Sequence, residues 1–344
     1  MERNHFIDAI KGLLILLVII GHCLQYGNGY NYLNHRLFYD DFIFRSIYTF
    51  HMPMFMIVSG FLFSYSNKKT LGTVVISKLK SIGVPFVVFC TIIYFIWWFC
   101  NDLNKFYFSD FFLKMRINMW FLSSVLVNCI IVAIITHTLG KMSGWIIAAL
   151  FFLLFFISDS SISASHKYMF FFFFVGYYLN RKSSYISMML EWMNNRYCFP
   201  ILTLLFICIV YSYDDYMFIY KSGFCIIRGG ELNYSILLID ILRNIEALLC
   251  CWWFILLMRL LKQYIQKSFI LLLGNYTLSI YGFQSVFFSL VYEKKCPIFE
   301  LFTCNIMPFV LFVGALFISL ISIWLCLNCK VLSFLFLGKQ INKV

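Results

Sequence analysis

The chain has 344 residues, a hydrophobic fraction of 62%, a charged fraction of 12% and a formal net charge of +12. Soluble domains are about half apolar and about one quarter charged, so this composition excludes an ordinary soluble protein. The positive charge does not indicate nucleic-acid binding, because the charges lie at the ends of apolar runs rather than in one basic patch.

The apolar residues form blocks about 20 residues long, which is the length that crosses a bilayer. They predict an all-α integral membrane protein with about ten transmembrane helices and no separate soluble domain. We expect one membrane domain over residues 1–344, whose first helix is retained because it lacks a small-residue cleavage site. The predicted helices span residues 6–25, 45–65, 82–100, 120–138, 144–157, 168–180, 197–212, 238–261, 270–292 and 306–327.

The first helix carries a lysine and a histidine on one stripe. Lys11 and His22 are eleven residues apart, so their side chains lie within roughly 20° of each other around the axis. Ionisable groups are costly in lipid and usually face a protein interior or a wet cavity. An imidazole titrates near neutral pH and can accept a proton from a hydroxyl, which makes His22 our leading catalytic candidate. The alternative is a packing histidine that hydrogen-bonds a neighbouring helix.

Lys11 lies near the predicted cytoplasmic end of this helix. Its side chain either snorkels to the membrane interface or offers a charge to the phosphates of a ligand that enters from the cytoplasm. Asp8 precedes Lys11 by three residues, a spacing that permits an ion pair on one helix face. We therefore expect these two side chains to pair.

The second predicted helix contains His51, followed by Pro53. A proline inside a helix removes a hydrogen bond and bends the axis, which can turn a neighbouring side chain towards a cavity. His51 is therefore a second catalytic candidate, with a core histidine as the alternative. Further along the helix, Ser59 and Gly60 are small residues that permit another helix to approach closely.

Several residues at helix ends have two interpretations. Arg45, at the predicted outer end of the second helix, either anchors the helix at the interface or meets an anionic ligand. Lys78 and Lys80 come shortly before Pro85 of the third helix, and they either bind the phosphates of a ligand or follow the positive-inside rule. Trp120 opens the fourth helix, a position typical of an interfacial aromatic residue.

The eighth predicted helix contains Asp240, Arg243 and Glu246, spaced by three. This spacing permits the charges to pair on one face, and the alternative is contact with a substrate. Cysteines are scattered in apolar runs, and only Cys296 and Cys304 share a predicted outer loop in which they can pair. The six histidines are dispersed without metal-ligand spacing, so we predict no metal site.

Loop 66–81 contains four lysines and no acidic residue, which places it on the cytoplasmic side. With both termini also in the cytoplasm, the inner segments hold 15 Lys and Arg residues against 2 acidic residues, whereas the outer loops hold 10 of each. We therefore expect a multi-pass protein of the plasma (inner) membrane with cytoplasmic termini.

The first two helices resemble membrane-bound acyltransferase family 3, which includes O-acyltransferases that modify bacterial surface polysaccharides. The resemblance is most specific over residues 7–63. A basic residue, ten positions and a histidine correspond to Lys11 and His22. The string Phe-His-Met-Pro-x-Phe followed by Ser-Gly-Phe contains His51.

Two later strings resemble the family more weakly. They are Trp120-Phe121-Leu122 and residues 273–281, which end at Tyr281. In the family the second string usually continues to a histidine, whereas this chain has Gln284, which weakens a catalytic role there and leaves a binding role. The expected acceptor or pocket residues are Arg45, Trp120, Tyr281 and Gln284.

The resemblance implies an O-acetyltransferase that uses acetyl-CoA as co-substrate, without a bound cofactor. Its acceptor would be a hydroxyl of a cell-surface polysaccharide or of the lipid-linked precursor. His22 would be the base or an acyl relay, and Lys11 with Lys78 or Lys80 would hold the donor. The sequence ends soon after its last predicted helix, so we expect a stand-alone membrane unit.

The rival class is a transporter or flippase of lipid-linked sugars, which also needs many helices and buried charges. Transporters often show a pseudo-repeat between their halves, and none is visible in this sequence. Polar residues also cluster in the first two predicted helices rather than in both halves.

Overall fold

The computed structural model describes residues 4–101, 108–159, 161–181, 195–228, 231–265, 269–293 and 306–339. These ranges are almost entirely helical, as the composition predicts, and Cys296 and Cys304 lie outside them. The α-helices are α1 His5–Gly27, α2 Gly29–Asn34, α3 Phe42–Tyr48, α4 His51–Ser66, α5 Leu71–Lys78, α6 Val84–Cys100, α7 Phe108–Asn118, α8 Trp120–Leu139, α9 Ser143–Leu154, α10 Ser161–Arg181, α11 Cys198–Ser212, α12 Ile219–Ser222, α13 Tyr234–Leu260, α14 Lys262–Ile265, α15 Phe269–Asn275, α16 Thr277–Glu293, α17 Met307–Leu327 and α18 Lys330–Leu337. Two two-residue strands, β1 Ile227–Arg228 and β2 Glu231–Leu232, pair antiparallel.

Within the described ranges, six helical stretches are long and apolar enough to cross a membrane. They are His5–Gly27, Phe42–Ser66, Leu71–Cys100, Trp120–Leu139, Tyr234–Leu260 and Met307–Leu327. Three shorter apolar helices are Ser143–Leu154, Cys198–Ser212 and Thr277–Tyr292. These stretches correspond to nine of the ten predicted helices, and the tenth, predicted over residues 168–180, is the longer helix α10.

The second predicted helix is interrupted rather than bent. The chain leaves helical geometry at Thr49 and Phe50, between α3 and α4. Pro53 therefore lies in the first turn of α4, where a helix has no partner for its N–H groups and tolerates a proline. The predicted bend at Pro53 is corrected to a break before it, because the proline ring would clash with the carbonyl of Thr49 in a continuous helix.

The third predicted helix starts eleven residues earlier than expected and changes register midway. Helix α5 passes into a π-helical turn, Leu79–Gly83, before α6 begins. Pro85 offers no N–H to the carbonyl of Ser81, and Val84 N–H instead bonds the carbonyl of Leu79, five residues back. Such turns are frequent at functional sites, and this one contains Lys80.

The chain forms two compact units, of residues 1–47, 77–123 and 266–344, and of residues 48–76 and 124–265. In the first unit α1 packs against α15, α16 and α17. Gly12 of α1 lies against the backbone of Ile270, and Gly274 of α15 lies against that of Asp8. A β-carbon on either glycine would overlap a backbone carbonyl oxygen, so α1 and α15 approach each other at backbone distance.

Helix α16 runs in the same direction as α1. Its Phe288 contacts His22 and its Tyr292 contacts Tyr26, so a step of four residues in the same direction is made on both helices.

The predicted helix over residues 270–292 is two helices, α15 and α16, separated at Tyr276.

In the second unit α4 packs mainly against α10. Gly60 of α4 lies against the backbone of Phe173, and Gly176 of α10 lies against that of Ile57. The close approach that Gly60 predicts is therefore present, whereas Ser59 bonds the carbonyl of Phe55 in its own helix. Helix α13 packs against α4 and α11 in the same unit.

Candidate functional site

The amino-terminal turns of α1 hold an ion pair. Nζ of Lys11 lies 2.8 Å from Oδ1 of Asp8, which confirms the pairing that the spacing predicts. The two side chains are 20% and 10% exposed, so the pair is largely shielded from water. The charge of Lys11 is therefore balanced within its own helix.

His22 lies further along α1 among aromatic side chains. The imidazole centroid is 5.5 Å from the ring of Phe288 and 6.1 Å from that of Tyr26, and these two rings stack on each other at 5.3 Å. The side chain of Gln25, one turn further on, lies beside the imidazole. The Nδ1 atom is buried and has no hydrogen-bond partner among the described residues. A buried ring nitrogen without a partner is costly, which suits a position that a substrate or water completes.

Helix α16 carries a stripe that leads to His22. Tyr281, Gln284 and Phe288 are three or four residues apart and so share one helix face, and Phe288 contacts the imidazole. Gln284 is fully buried, and its Nε2 donates to the carbonyl of Tyr281 at 3.2 Å and to Oγ of Ser285 at 3.1 Å. Its Oε1 has no partner within the described part of the chain. The stripe thus offers an unfilled acceptor one turn from Phe288.

The first turn of α8 packs on this stripe. The ring of Phe121 meets that of Tyr281 edge-on at 5.8 Å. Trp120 is half-buried, and its ring lies 6.0 Å from that of Phe121. Two of the expected pocket residues, Tyr281 and Gln284, therefore share one surface, and Trp120 adjoins it through Phe121.

Lys78 and Lys80 flank the π-helical turn of the first unit. Lys80 is exposed, and the structure records no ion pair for it in the described ranges. Gly338, with a φ of 62°, packs against the backbone of Ser81, and a β-carbon there would overlap its carbonyl oxygen. This contact brings Lys339 to the same end of the unit, a basic residue that sequence reasoning did not select because only the left-handed turn at Gly338 places it there.

Arg45 is bound by its own neighbours in sequence. Its Nε donates to the carbonyl of Tyr39 at 2.7 Å, and its guanidinium pairs with Asp40 at 3.1 Å. The contacts of Arg45 with Tyr39 and Asp40 favour its anchoring role over that of an open anion site.

Tyr32 lies in the same segment. Burial, and after it the carboxylate of Asp41, raises the pKa of Tyr32.

His51 lies in the second unit, as the first residue of α4. Its side chain is buried, and the ring of Tyr48 packs edge-on against it at 4.7 Å. Phe50, the preceding residue, packs against Phe254 of α13 at 5.0 Å. This environment suits a core histidine, and the catalytic role of His51 stays a prediction.

Asp240 and Arg243 pair at 3.1 Å within α13 and are almost completely buried. The guanidinium also donates to the carbonyl of Gly223 at 3.2 Å and to the hydroxyl of Ser222. Arg243 therefore ties α13 to the segment before β1. The spacing predicts the pair with Asp240, whereas no ion pair of Glu246 is recorded among the described residues. Nε of Arg243 has no hydrogen-bond partner among the described residues, so the hydrogen bonds of the buried pair are not all made.

The structure brings His22, Tyr26, Phe288 and the Gln284 stripe together in the first unit. Tyr26 and Phe288 were absent from the sequence-based candidates, although the spacing of four between His22 and Tyr26 indicates a shared face. Among the described residues no group of three His, Cys, Asp or Glu side chains is placed to hold a metal ion.

A family model described as an acyltransferase domain matches residues 4–328. Two curated relatives are both called Nodulation protein NolL. The protein of Mesorhizobium japonicum is 33% identical over 156 residues, and that of Sinorhizobium fredii is 30% identical over 160 residues. Each match covers 43% of this chain and 40% of the relative, so less than half of each relative is matched. No solved structure matches the chain.

Proposed function

The chain belongs to membrane-bound acyltransferase family 3, and on this basis we propose that it transfers an acetyl group from acetyl-CoA to a hydroxyl of a cell-surface polysaccharide or of its lipid-linked precursor. The observation that carries the proposal is the buried Nδ1 of His22, which has no partner among the described residues. It lies at the position where the family resemblance expects a base.

In this proposal His22 takes the proton from the acceptor hydroxyl while the hydroxyl oxygen attacks the thioester carbonyl carbon. The carbon–sulfur bond then breaks, and the proton passes from the imidazolium to the leaving sulfur. The products are an acetyl ester and free CoA thiol. A positioned base of this kind contributes about 10²- to 10⁴-fold to the rate.

In the same proposal, the phosphates of the donor bind in the first unit. Lys78, Lys80 and Lys339 lie at the end of the unit that holds the π-helical turn, whereas Lys11 is already paired with Asp8. Lys11 and His22 are separated by about 16 Å along α1. A donor whose phosphates lie at the Lys11 end of α1 would need a long flexible arm to bring its thioester to the imidazole, which acyl-CoA has and a small acyl phosphate lacks.

The aromatic rings around His22 support the acceptor side of the proposal. Tyr26 and Phe288 stack on each other beside the imidazole, and aromatic side chains of this kind commonly line ligand sites. The free Oε1 of Gln284 would accept a hydrogen bond from a hydroxyl or amide of a substrate.

The test is thiol release from acetyl-CoA by the purified full-length protein in detergent, with extracted surface glycan as acceptor. We expect release that rises with added glycan and is matched by acetyl ester on the product. A transporter would release no thiol. A folded preparation that releases none with acetyl-CoA or longer acyl-CoA donors would overturn the proposal.

A further inference from the structure

The second unit contains a cavity of about 270 Å³ that is separate from the residues assigned above. It lies where α4, α8 and α10 end, and the described residues that line it include no Asp or Glu. Six of them matter for its chemistry, namely Asn67, Lys68, Thr136, His137, Tyr177 and Arg181.

The hydroxyl of Tyr177 has an unused proton. Its oxygen accepts a hydrogen bond from Nδ2 of Asn67 at 2.8 Å and one from the guanidinium of Arg181 at 3.1 Å. Neither of these groups can accept, so the hydroxyl proton must find another acceptor. The described residues supply none, and Tyr177 is only 2% exposed. A buried donor in a cavity thus points to a ligand that accepts.

The side chain of Asn67 contains an acceptor that lacks a donor. Its Nδ2 also donates to the hydroxyl of Thr136 at 2.8 Å. Thr136 gives its own proton to the carbonyl of Val132 at 2.7 Å and so accepts from Asn67, which favours this orientation of the amide. The Oδ1 of Asn67 is therefore the free atom, and it is buried without a partner in the described part of the chain.

The exposed side of the cavity is basic. Lys68 lies over the ring of Tyr65 at 5.8 Å, and Arg181 lies over that of Tyr177 at 5.6 Å. Among the described residues, the one hydrogen bond recorded for these two cations is that of Arg181 to the hydroxyl of Tyr177. The ring nitrogens of His137 face the carbonyls of Ala133 at 2.9 Å and Lys69 at 2.8 Å. Both ring nitrogens are therefore occupied by carbonyl contacts, and neither is open to Lys68 or Arg181.

Basic side chains at carboxyl-terminal helix ends also have a simpler role, since they offset the partial negative charge of the last carbonyls. His137 lies in the last turn of α8, but its ring contacts the carbonyls of Ala133 and Lys69 rather than the last carbonyls of that helix. Capping does not account for the hydroxyl proton of Tyr177 or for Oδ1 of Asn67. These two buried atoms require a partner that both accepts and donates.

We propose that this cavity binds the phosphate group of an anionic ligand. Phosphate oxygens would accept from Tyr177, Lys68 and Arg181, and a protonated phosphate oxygen or an adjacent hydroxyl would donate to Oδ1 of Asn67. An ionised carboxylate lacks the donor that Asn67 needs. The volume is below that of most drug-sized ligand pockets, so the site fits a phosphate-bearing head group rather than an entire acyl-CoA.

The test is calorimetric titration of inorganic pyrophosphate into the purified full-length protein, at constant ionic strength. We expect saturable binding that Lys68→Gln and Arg181→Gln each weaken by about tenfold, because each removes a charge-assisted hydrogen bond. Arg196→Gln is a matched control, since Arg196 also lies over a tyrosine ring and bonds its hydroxyl, at Tyr197. Lys262→Gln, at an exposed lysine, is the control for Lys68.

Tyr177→Phe removes the hydroxyl and keeps the ring, and we expect it to weaken pyrophosphate binding as well. The melting temperature of this variant is measured as well as its binding. If the variant does not fold, the binding of pyrophosphate to Lys68→Gln and Arg181→Gln decides whether the cavity is the phosphate site. A Lys78→Gln, Lys80→Gln double variant reports on phosphate bound at the donor site instead. The proposal is overturned if the parent shows no saturable binding, if pocket and control variants behave alike, or if only the double variant loses binding.

Two sources of phosphate are then separated in lipid nanodiscs made with or without phosphatidic acid. If the natural ligand is a lipid head group, phosphatidic acid competes with pyrophosphate in the parent, and Lys68→Gln reduces the competition. If the ligand is soluble, pyrophosphate binds equally well in both kinds of disc. Either result supports a phosphate site in this cavity. The proposed acetyl transfer is tested separately, by thiol release, and does not depend on which source is correct.

Discussion

Nζ of Lys11 lies 2.8 Å from Oδ1 of Asp8 on the same helix. The basic residue that the family resemblance assigns to the donor is thus held by a carboxylate one turn away. An ammonium has three donors and can bind a second anion, but its net charge towards that anion is largely cancelled. Asp8 therefore provides a direct means of testing what Lys11 does.

If Lys11 contacts donor phosphate, Asp8→Asn should lower the KM for acetyl-CoA by about two- to fivefold, because it removes the competing charge. Lys11→Met should raise that KM by about tenfold, and Lys11→Arg should retain most of the affinity. The measurement is steady-state thiol release over a range of acetyl-CoA concentrations. Lys221→Met is the control, since Lys221 is also paired with an aspartate, Asp215. Unchanged KM values in all three variants would support a snorkelling lysine.

His22→Ala should lower acetyl transfer by about 10²- to 10⁴-fold if His22 is the general base. Alanine is a good helix former, so the variant should insert and accumulate at near-normal levels. His5→Ala, at an exposed histidine of the same helix, should keep full activity. A folded His22→Ala protein whose rate is within about threefold of the parent would make His51 the next candidate, since that margin is under ~1 kcal/mol of barrier.

Gln284→Leu separates a binding role from a structural one. Leucine removes a buried amide whose Oε1 lacks a partner among the described residues, so thermal stability should be equal to or higher than that of the parent. If Oε1 binds substrate, acetyl transfer should fall by about tenfold, with the loss in KM for the acceptor. Ser285→Ala, at the neighbouring side chain that Gln284 bonds, is the control. A stable Gln284→Leu protein with parental kinetics would remove Gln284 from the site.

Gly274→Ala should destabilise the first unit by about 1–3 kcal/mol, because the added methyl group overlaps the carbonyl oxygen of Asp8 and pushes α15 away from α1. Gly72→Ala is the matched control, since a β-carbon at Gly72 meets no atom within 4 Å and alanine favours the helix. Both variants are compared by thermal melting in detergent. Equal melting temperatures would show that α1 and α15 do not pack at backbone distance.

The predicted orientation is tested with a reporter that is active only outside the cytoplasm. A fusion near Asn104 should be active, and a fusion after Val344 should be silent; both positions lie outside the described residues. The expectation rests on the four lysines and absent acidic residues of loop 66–81. An active fusion at the carboxyl end would indicate an odd number of crossings.

Much of the candidate site was visible in the sequence because it lies along single helices. The stripe of Lys11 and His22, and the pairing of Lys11 with Asp8, follow from the 3.6-residue repeat alone. The same repeat places Tyr281 and Gln284 on one face of α16. The interruptions of the helices near Pro53 and Pro85 could not be predicted in detail. A proline indicates a disturbed helix without deciding whether the helix bends, changes register or stops.

By itself, the sequence determined the membrane class, the approximate positions of the helices and the charge pairs within them, because hydropathy and helical spacing are local properties. Only the tertiary structure decided which helices meet. It placed Phe288 beside His22, Lys339 beside the π-helical turn, and Asn67 and Tyr177 in one cavity 110 positions apart in the chain. Such contacts depend on small residues that let particular backbones approach each other, and no periodicity in one helix specifies its partner.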